Sequence, residues 1–212
     1  MKTKKILHIL FLLFAILFAS CEKDEPDTLI PSQITIKVGQ NYDLASEQSW
    51  QSSNSFVANV ANSGIIKGLH VGNCTVACSK GSCNVTVLAN INLFQDPITQ
   101  WGLSKSQVIN KVGYNYQETT NGDLAYETGN SIAPYVAYNF SNNTLSSVLL
   151  MVKTAYTNQI IDHLSERYQF ITTYESEKSF IFLNGNSLSE SSTMVILKLY
   201  NSSYWVVCYS KN

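Results

Sequence analysis

The sequence predicts a mixed fold, in which an all-β sandwich over residues 33–88 is followed by an α+β unit over residues 92–212. The first prediction rests on short segments of alternating apolar and polar residues that recur about every ten residues between Gly, Ser and Asn. The second rests on two helical patterns, near residues 104–113 and 157–168, each followed by strand patterns. Apolar residues make up 45% and charged residues 14% of the 212 residues, a composition typical of a folded core rather than of a disordered chain.

Residues 1–20 predict a cleaved signal peptide. Lys2, Lys4 and Lys5 precede an apolar run over residues 6–19. As a helix this run would be about 21 Å long, short of the roughly 30 Å hydrocarbon core of a bilayer. The length and the flanks therefore favour a secretion signal over the alternative of a permanent transmembrane helix.

The residues at the end of this run, Phe-Ala-Ser-Cys at 18–21, resemble the lipobox of bacterial lipoproteins, although Phe18 stands where leucine is more usual. The resemblance implies that Cys21 becomes the lipidated first residue of the mature protein. Three acyl chains would anchor it stably, because two or more buried chains suffice. An ordinary signal peptide with an incidental cysteine is the alternative.

Residues 21–32 predict the lipidated cysteine and a flexible tether that reaches at most about 40 Å. Glu-Lys-Asp-Glu at 22–25 resembles the surface-export signal of Bacteroidetes lipoproteins. The resemblance implies an outer-membrane lipoprotein exposed at the cell surface. If the acids are only part of a solvated tether, a periplasm-facing position is the alternative.

The charge balance disfavours nucleic acid as a partner. Removal of residues 1–20 takes three lysines and changes the formal net charge from −1 to −4. The sequence has no basic patch with interleaved aromatic residues, which nucleic-acid binding requires.

The segment 33–88 contains five short motifs in order. They are W-x-S-S-N at 50–54, V-A-x-V at 57–60, G-x-I-x-G at 64–68, G-x-x-x-V at 72–76 and V-x-V at 85–87. This order resembles the group 2 bacterial immunoglobulin-like domain. The resemblance implies a spacer, adhesion or carbohydrate-contacting module and brings no catalytic residues with it.

Individual residues of this segment have clear physical roles. Trp50 and Val76 are expected to fill the space between two sheets. Gly64 and Gly68 bracket a strand at turns that we expect to need positive φ.

The cysteines of this segment leave two alternatives open. A four-residue loop at 79–82 would place Cys78 opposite Cys83 in a hairpin, where a disulfide could form in an oxidising envelope. Ordinary buried thiols are the other alternative. The remaining cysteines, Cys74 and Cys208, fall in different predicted units, and no CxxC pair or nearby histidine predicts a metal site.

Residues 92–212 predict a helix-plus-meander unit that occurs twice, with one antiparallel sheet and both helices on one of its faces. Ser104 and Gln107 form a capping-box pattern for the first helix, and Thr157 is the expected cap of the second. Strands are predicted at 135–140, 146–152, 170–174, 179–183, 194–200 and 204–209. The order of elements is similar to that of small envelope domains of the β-lactamase-inhibitor type, and this likeness bears on fold class alone.

The sequence contains none of the common catalytic motifs. It lacks Gly-x-Ser-x-Gly, His-Glu-x-x-His and glycine-rich phosphate loops. His70 falls in a glycine-flanked turn, and His163 with Glu166 and Arg167 is expected to form a solvated helical face. The sequence therefore predicts no catalytic residues, no metal and no cofactor.

Tyrosine is concentrated in the second unit, which holds eleven of the twelve in the chain. Exposed aromatic rings can stack on sugars or anchor a protein partner, and Trp101, Trp205 and Tyr209 are the candidate ligand-contacting residues. The alternative is that these rings are ordinary strand residues that line the core.

These observations together predict a non-enzymatic binding or adhesion module, held at a membrane by its lipid, with a glycan or protein ligand. The first alternative is an envelope inhibitor or assembly factor that acts through the C-terminal sheet. The second is an enzyme of unrecognised type.

Overall fold

The computed structural model describes residues 29–44 and 49–212 and confirms a mainly β chain. The predicted signal peptide, Cys21 and most of the tether lie outside these residues. The first strands are β1 (Gln33–Lys37), β2 (Asn41–Asp43), β3 (Gln51–Ser52), β4 (Ala58–Val60), β5 (Ile65–Gly68), β6 (Gly72–Cys78) and β7 (Gly81–Leu88). Next come α1 (Lys105–Val112), β8 (Gln117–Glu118), β9 (Leu124–Glu127), β10 (Tyr135–Ser141) and β11 (Thr144–Lys153). The chain ends with α2 (Thr157–Ser165), β12 (Gln169–Tyr174), β13 (Ser179–Leu183), β14 (Thr193–Leu199) and β15 (Tyr204–Lys211).

Strands β1–β7 form two sheets around their own hydrophobic core. One sheet has the order β1-β7-β6-β3 and the other β2-β5-β4. Alternate residues of β1 and β7 are buried, as expected for strands with one solvated face. Trp50 and Val76 lie in this core with Ile66 of the opposing sheet, as the sequence predicted.

The two positions that bracket β5 require glycine for different structural reasons. Gly64 has φ +86°, the left-handed conformation that glycine adopts without a steric penalty. Gly68 does not have positive φ. A Cβ built there would lie 2.9 Å from the carbonyl oxygen of Lys37, so a close approach of the backbone, and not a turn, requires glycine at this position.

The predicted opposition of Cys78 and Cys83 is wrong. The β6–β7 loop has two residues rather than four, so Cys78 pairs with Gly81 and Cys83 pairs with Val76. The two sulfurs are thus offset along the ladder, and the described cysteines are all free thiols. Cys83 is fully buried and Cys78 is partly buried, which agrees with the alternative of ordinary thiols.

The chain enters and leaves the first pair of sheets at opposite ends. β1 runs parallel to β7, with Gln33 opposite Asn84 and Lys37 opposite Leu88. Ile30, just before β1, lies against Gly81 at the far tip of the β6–β7 hairpin. The 8 residues of β7 span about 26 Å, which separates the incoming tether from the outgoing connection at Leu88.

Strands β8–β15 form one antiparallel sheet in the order β12-β13-β14-β15-β11-β10-β9-β8. Each half of this sheet is a helix followed by four sequential strands, and the two halves join where β11 pairs with β15. Strands β8 and β9 were not predicted. All the other strands of this sheet overlap the predicted segments.

Both helices pack on the same face of this sheet. Val108 of α1 and Ile160 and Leu164 of α2 are fully buried in the second hydrophobic core. The predicted capping box of α1 is present, because the Ser104 hydroxyl accepts from Gln107 N while the Gln107 side chain accepts from Ser104 N. It fixes where α1 starts on the sheet.

The start of α2 differs from the prediction. Tyr156, not Thr157, is the N-cap residue, and it follows a 3₁₀ turn over Thr154–Tyr156. The Thr157 hydroxyl donates to the Thr154 carbonyl at 2.7 Å and accepts from the indole N–H of Trp205 at 2.8 Å. Thr157 therefore ties the helix to the sheet rather than capping it.

The end of α2 holds the segment that connects the two groups of strands. The Glu166 carboxylate accepts hydrogen bonds from the backbone N–H groups of Asn90 and Ile91 and from the Asn90 side chain. The Glu166 carbonyl accepts from Val71 N at 2.8 Å, and Asn90 Nδ2 donates to the Val38 carbonyl. The end of α2 thus contacts the connection and the residue before β6, and the connection in turn contacts the residue after β1.

His163 and Arg167 do not lie on a solvated helical face. His163 is fully buried and Arg167 is 9% exposed. Arg167 donates to Asp96 Oδ2 at 2.7 Å, to Asn92 Oδ1 and to the Ile91 carbonyl. The prediction failed because these partners come from residues 91–96, which pack over a helix face that looks amphipathic in isolation.

Candidate functional site

Trp205 and Tyr209 cannot contact a ligand in this structure. Trp205 is 8% exposed and Tyr209 is fully buried, because both lie on the face of the sheet that α1 and α2 cover. The Tyr209 ring meets that of Tyr168 edge-on at 6.1 Å, and burial raises the pKa of Tyr209 well above its ordinary value. The alternative that these rings line the core is therefore the correct interpretation for both residues.

Trp101 is partly buried and packs against the same core. Its indole N–H donates to the Thr193 hydroxyl at 2.9 Å, which joins the loop before α1 to strand β14. Because its polar group already has a protein partner, Trp101 acts here as a packing residue. The three predicted aromatic residues are not brought together on one surface.

The face of the eight-stranded sheet opposite the helices has a different character, and we call it the open face. The strand register aligns one row of partly exposed side chains across six strands: Ala125, Ala137, Leu149, Cys208, Ile196 and Ile181. Gln117 of β8 extends this row beside Ala125. The row is apolar at its centre and polar at the β8 edge.

A surface depression of about 560 Å³ lies on the β8 side of the open face. Its floor consists of Ala137, Leu149, Met151 and Val206, which belong to β10, β11 and β15. A volume of this size falls within the roughly 300–1,000 Å³ range of small-molecule sites. We call this feature the tyrosine depression, after the rings that stand at its edge.

Tyr135 and Tyr200 flank the floor of the tyrosine depression. Tyr135 is 46% exposed and Tyr200 is 67% exposed. Tyr135 lies directly opposite Met151 in the ladder, so its ring stands beside the apolar floor. The tight turn between β14 and β15 holds the backbone of Tyr200, since its N–H and that of Asn201 both donate to the Tyr204 carbonyl.

The rim of the depression carries neutral and acidic polar groups. Asn115, Gln117 and Glu127 are exposed there, and their side chains have no hydrogen-bond partner within residues 29–44 and 49–212. No lysine or arginine is among the described residues that line this depression. The described lining therefore offers aromatic faces, amide groups and one carboxylate.

A second cavity, of about 690 Å³, lies beside the helices, between the end of α1 and the 94–98 segment. Its polar groups are largely engaged with the chain. Tyr126 Oη donates to the Gly113 carbonyl, and Ile98 N donates to Tyr138 Oη. Burial, with the neighbouring tyrosines, raises the pKa of Tyr126 to about 12.

Asp96 opens onto this second cavity and meets His163 and Arg167. Leu93 N donates to His163 Nδ1, which leaves the imidazole proton on Nε2, 3.4 Å from Asp96 Oδ1. Burial alone would raise the pKa of Asp96, but the His163 hydrogen bond and the Arg167 charge outweigh it, and the pKa lies below its usual value. Both nitrogens of His163 are thus used to hold the connection.

Metal-ligating side chains are not clustered in the described chain. Within the part that the structure describes, no group of His, Cys, Asp and Glu side chains is arranged to hold a metal ion. Neither of the two described helices has the length and apolar character needed to cross a bilayer.

Comparison with known proteins gives no family. No family model matches this chain, and no curated protein matches it significantly. A function for this chain has to be inferred from the chemistry of its surfaces.

Sequence reasoning missed every residue at the rim of the tyrosine depression. Asn115, Gln117 and Glu127 belong to, or adjoin, the two strands that were not predicted. A signal was present in β10, where Tyr135 and Ala137 alternate with the buried Val136 and Tyr138. That alternation places Tyr135 on the solvated side of the sheet.

Proposed function

We propose that this chain is a non-enzymatic, lipid-anchored envelope protein that holds a ligand-binding unit away from a membrane. In this proposal residues 33–88 are an immunoglobulin-like spacer of the group 2 bacterial type, and residues 92–212 are a duplicated α+β binding domain. Residues 1–20 are the signal peptide, and the lipid on Cys21 and the tether to residue 32 join the protein to the outer membrane.

The tyrosine depression carries the binding part of this proposal. A concave, mostly apolar surface with a few converging polar groups is the usual form of a small-ligand site. Tyr135 and Tyr200 leave exposed rings beside this apolar floor, and a contiguous apolar patch with a polar rim is typical of a binding groove. The ligand site is assigned to the open face, and not to Trp101, Trp205 or Tyr209.

The path of the chain supports the other part of the proposal, that the binding unit is held away from the membrane. We call this the display part. The tether enters beside Gly81, about 26 Å along β7 from the connection at Leu88. The contacts of Glu166 then restrain that connection at the other end. A rigid spacer with its anchor at one end and its binding unit at the other holds the open face clear of the lipid.

The display part is tested with the full chain expressed in a Bacteroidetes host. We expect an alkyne-palmitate label on the wild-type chain, recovery in outer-membrane fractions and digestion by protease added to intact cells. Cys21→Ala should lose the label and the membrane association. Replacement of Lys23, Asp24 and Glu25 by alanine should keep the label but protect the protein from protease.

Two results would contradict the display part. One is a wild-type chain that carries no label although it is secreted. The other is a labelled chain that protease reaches only after the outer membrane has been opened, which would make the periplasm-facing alternative correct.

One observation favours a second candidate function, that of an envelope inhibitor or assembly factor. Strand β12 forms an edge of the eight-stranded sheet and carries no charged residue. Its Phe170, Ile171 and Tyr174 side chains are 43%, 46% and 52% exposed. An uncharged, apolar edge strand can accept an extended segment of a partner protein.

The edge-strand function is tested by comparing wild type with Ile171→Lys in cross-linking to envelope proteins. A charge at this edge blocks strand addition, so a partner held by β12 should be lost in the variant. A partner retained in full would contradict this candidate.

A further inference from the structure

The tyrosine depression has a lining that fits one class of ligand. We infer that it binds a neutral oligosaccharide, with the sugar rings against Tyr135 and Tyr200 and their hydroxyl groups at the Asn115, Gln117 and Glu127 rim. This inference rests on the proposed binding function and names the ligand class of that same site.

The aromatic residues of the depression suit the faces of a sugar ring. A pyranose presents a patch of C–H groups on each face and hydroxyl groups around its edge. The C–H patch packs on an aromatic ring, whose face is electron-rich. Tyr135 and Tyr200 are on opposite sides of a floor made by Met151 and Val206, so the depression offers two such rings around one apolar surface.

The rim of the depression suits the hydroxyl groups at the edge of the sugar. Sugar hydroxyls need partners that both donate and accept, and the amides of Asn115 and Gln117 do both. Glu127 adds a carboxylate acceptor, which makes stronger hydrogen bonds to hydroxyl donors than a neutral acceptor does. Since these three side chains have no partner in the described chain, a ligand would not have to displace existing hydrogen bonds.

The charge of the lining disfavours anionic ligands. Its described residues include no lysine or arginine, while Glu127 is present. Anionic ligands such as uronic-acid polymers, phosphorylated glycans and nucleic acids would face this carboxylate. Lys198, which lies opposite the floor residue Val206 in the ladder, is already bound to Glu177 at 3.0 Å. The lining therefore selects for uncharged sugars.

The shape of the depression disfavours an acyl chain. An acyl chain is best held in an enclosed apolar tunnel, whereas this depression is open and polar along one side. The β14–β15 turn holds Tyr200 in place through Asn201, whose side-chain oxygen accepts from Ser203 N and Tyr204 N. A backbone held in this way loses little conformational freedom when a ligand binds.

The test uses the full chain, purified in lauryldimethylamine oxide, a detergent without a sugar headgroup. The probes are gluco-, manno-, galacto-, xylo- and N-acetylglucosamine trisaccharides in both α and β linkages where they exist. Trigalacturonic acid is the anionic comparison. Saturation-transfer NMR and titration calorimetry, at probe concentrations up to the millimolar range, measure binding.

We expect at least one neutral trisaccharide to bind and trigalacturonic acid not to bind. Tyr135→Ala and Tyr200→Ala should each weaken the affinity about tenfold. Tyr42→Ala is the matched control, because Tyr42 is also an exposed tyrosine but lies on β2, in a different sheet from the depression. It should bind as the wild type does, and unfolding midpoints should show that all three variants remain folded.

Three outcomes would overturn the inference. They are no binding of any neutral trisaccharide, stronger binding of trigalacturonic acid than of the neutral sugars, and equal loss of affinity in Tyr42→Ala. None of them changes the labelling and protease results for Cys21, so a failure of the saccharide inference is distinguishable from a failure of the display function. If no sugar binds, but a probe peptide or acyl chain binds to the wild type and not to Tyr135→Ala, the binding function stands and its ligand class is different.

Discussion

Asp96 holds a buried arginine in place although it is itself partly in solvent. Its side chain is 40% exposed, whereas that of Arg167 is only 8% exposed. A buried guanidinium without a counter-charge is unfavourable, so the single arginine of the chain depends on this carboxylate. The same carboxylate faces His163, so one residue fixes both polar groups of α2 to residues 91–96.

We predict that Asp96→Asn lowers the free energy of unfolding at pH 7 by about 2 kcal/mol. This value lies near the middle of the range for hydrogen bonds to charged groups, because solvent partly screens the Asp96 carboxylate. The folded pKa of Asp96 is lowered, so its stabilisation is present above the unfolded pKa, near 4, and is lost as pH falls through the folded value. Urea unfolding of both proteins at pH 7 and at progressively lower pH checks this.

The control for this prediction is Asp162→Asn. The Asp162 carboxylate is exposed on α2, the helix that carries His163, and has no partner in the described chain. It should leave the stability at pH 7 almost unchanged. If the difference in the free energy of unfolding between wild type and Asp96→Asn stays constant as the pH is lowered below 4, the role assigned to Asp96 is contradicted.

Arg167 also shows what the sequence could not reveal at the level of single residues. Its spacing from His163 on a helix suggested a solvated face, and that interpretation needs only local geometry. The true environment depends on residues 91–96, more than 70 positions earlier, which cross over the helix. A contact at that sequence separation leaves no mark in a helical pattern.

At the scale of elements, Thr157 joins a helix to a strand through one hydroxyl. It accepts the indole N–H of Trp205 and donates to the Thr154 carbonyl. We predict that Thr157→Val, which keeps the shape and removes the hydroxyl, destabilises the protein by about 1–3 kcal/mol because the mostly buried indole N–H loses its partner. Thermal unfolding and the near-ultraviolet circular dichroism of tryptophan check this.

Thr157→Ser is the matched variant, because it retains the hydroxyl and removes only a methyl group. It should recover most of the lost stability. If Thr157→Val is as stable as the wild type, the hydrogen bond does not contribute. Equal losses in the valine and serine variants would mean that the hydroxyl and the methyl group both contribute.

The elements that the sequence predicted are those with a strong repeating pattern. Helix α1 follows from the Ser104 and Gln107 capping box, and β13 was predicted with its observed bounds. Strand β8 has two residues that are both exposed, so it has no apolar alternation to detect. Because the rim of the tyrosine depression belongs to β8, β9 and the residues beside them, the candidate site could not be found before the sheet was known.

At the scale of the whole molecule, the helical turn that ends at Glu166 governs how the two groups of strands are joined. Each group has its own hydrophobic core, the two described cores share no buried residue, and the hydrogen bonds of Glu166 and Asn90 run between the groups. Interfaces of this polar kind permit relative motion unless specific bonds restrain them. The carboxylate of Glu166 provides three such bonds, to two backbone N–H groups and the Asn90 amide.

We therefore predict that wild type unfolds in one calorimetric transition and that Glu166→Ala unfolds in two, because removal of the carboxylate uncouples the cores. The variant should also become sensitive to protease near residues 89–92. Glu177→Ala is the control, since Glu177 is an exposed acid that contacts Lys198 within the second group alone. One transition in Glu166→Ala, with unchanged protease resistance, would mean that Val71 and the other contacts suffice to hold the two groups of strands as one body.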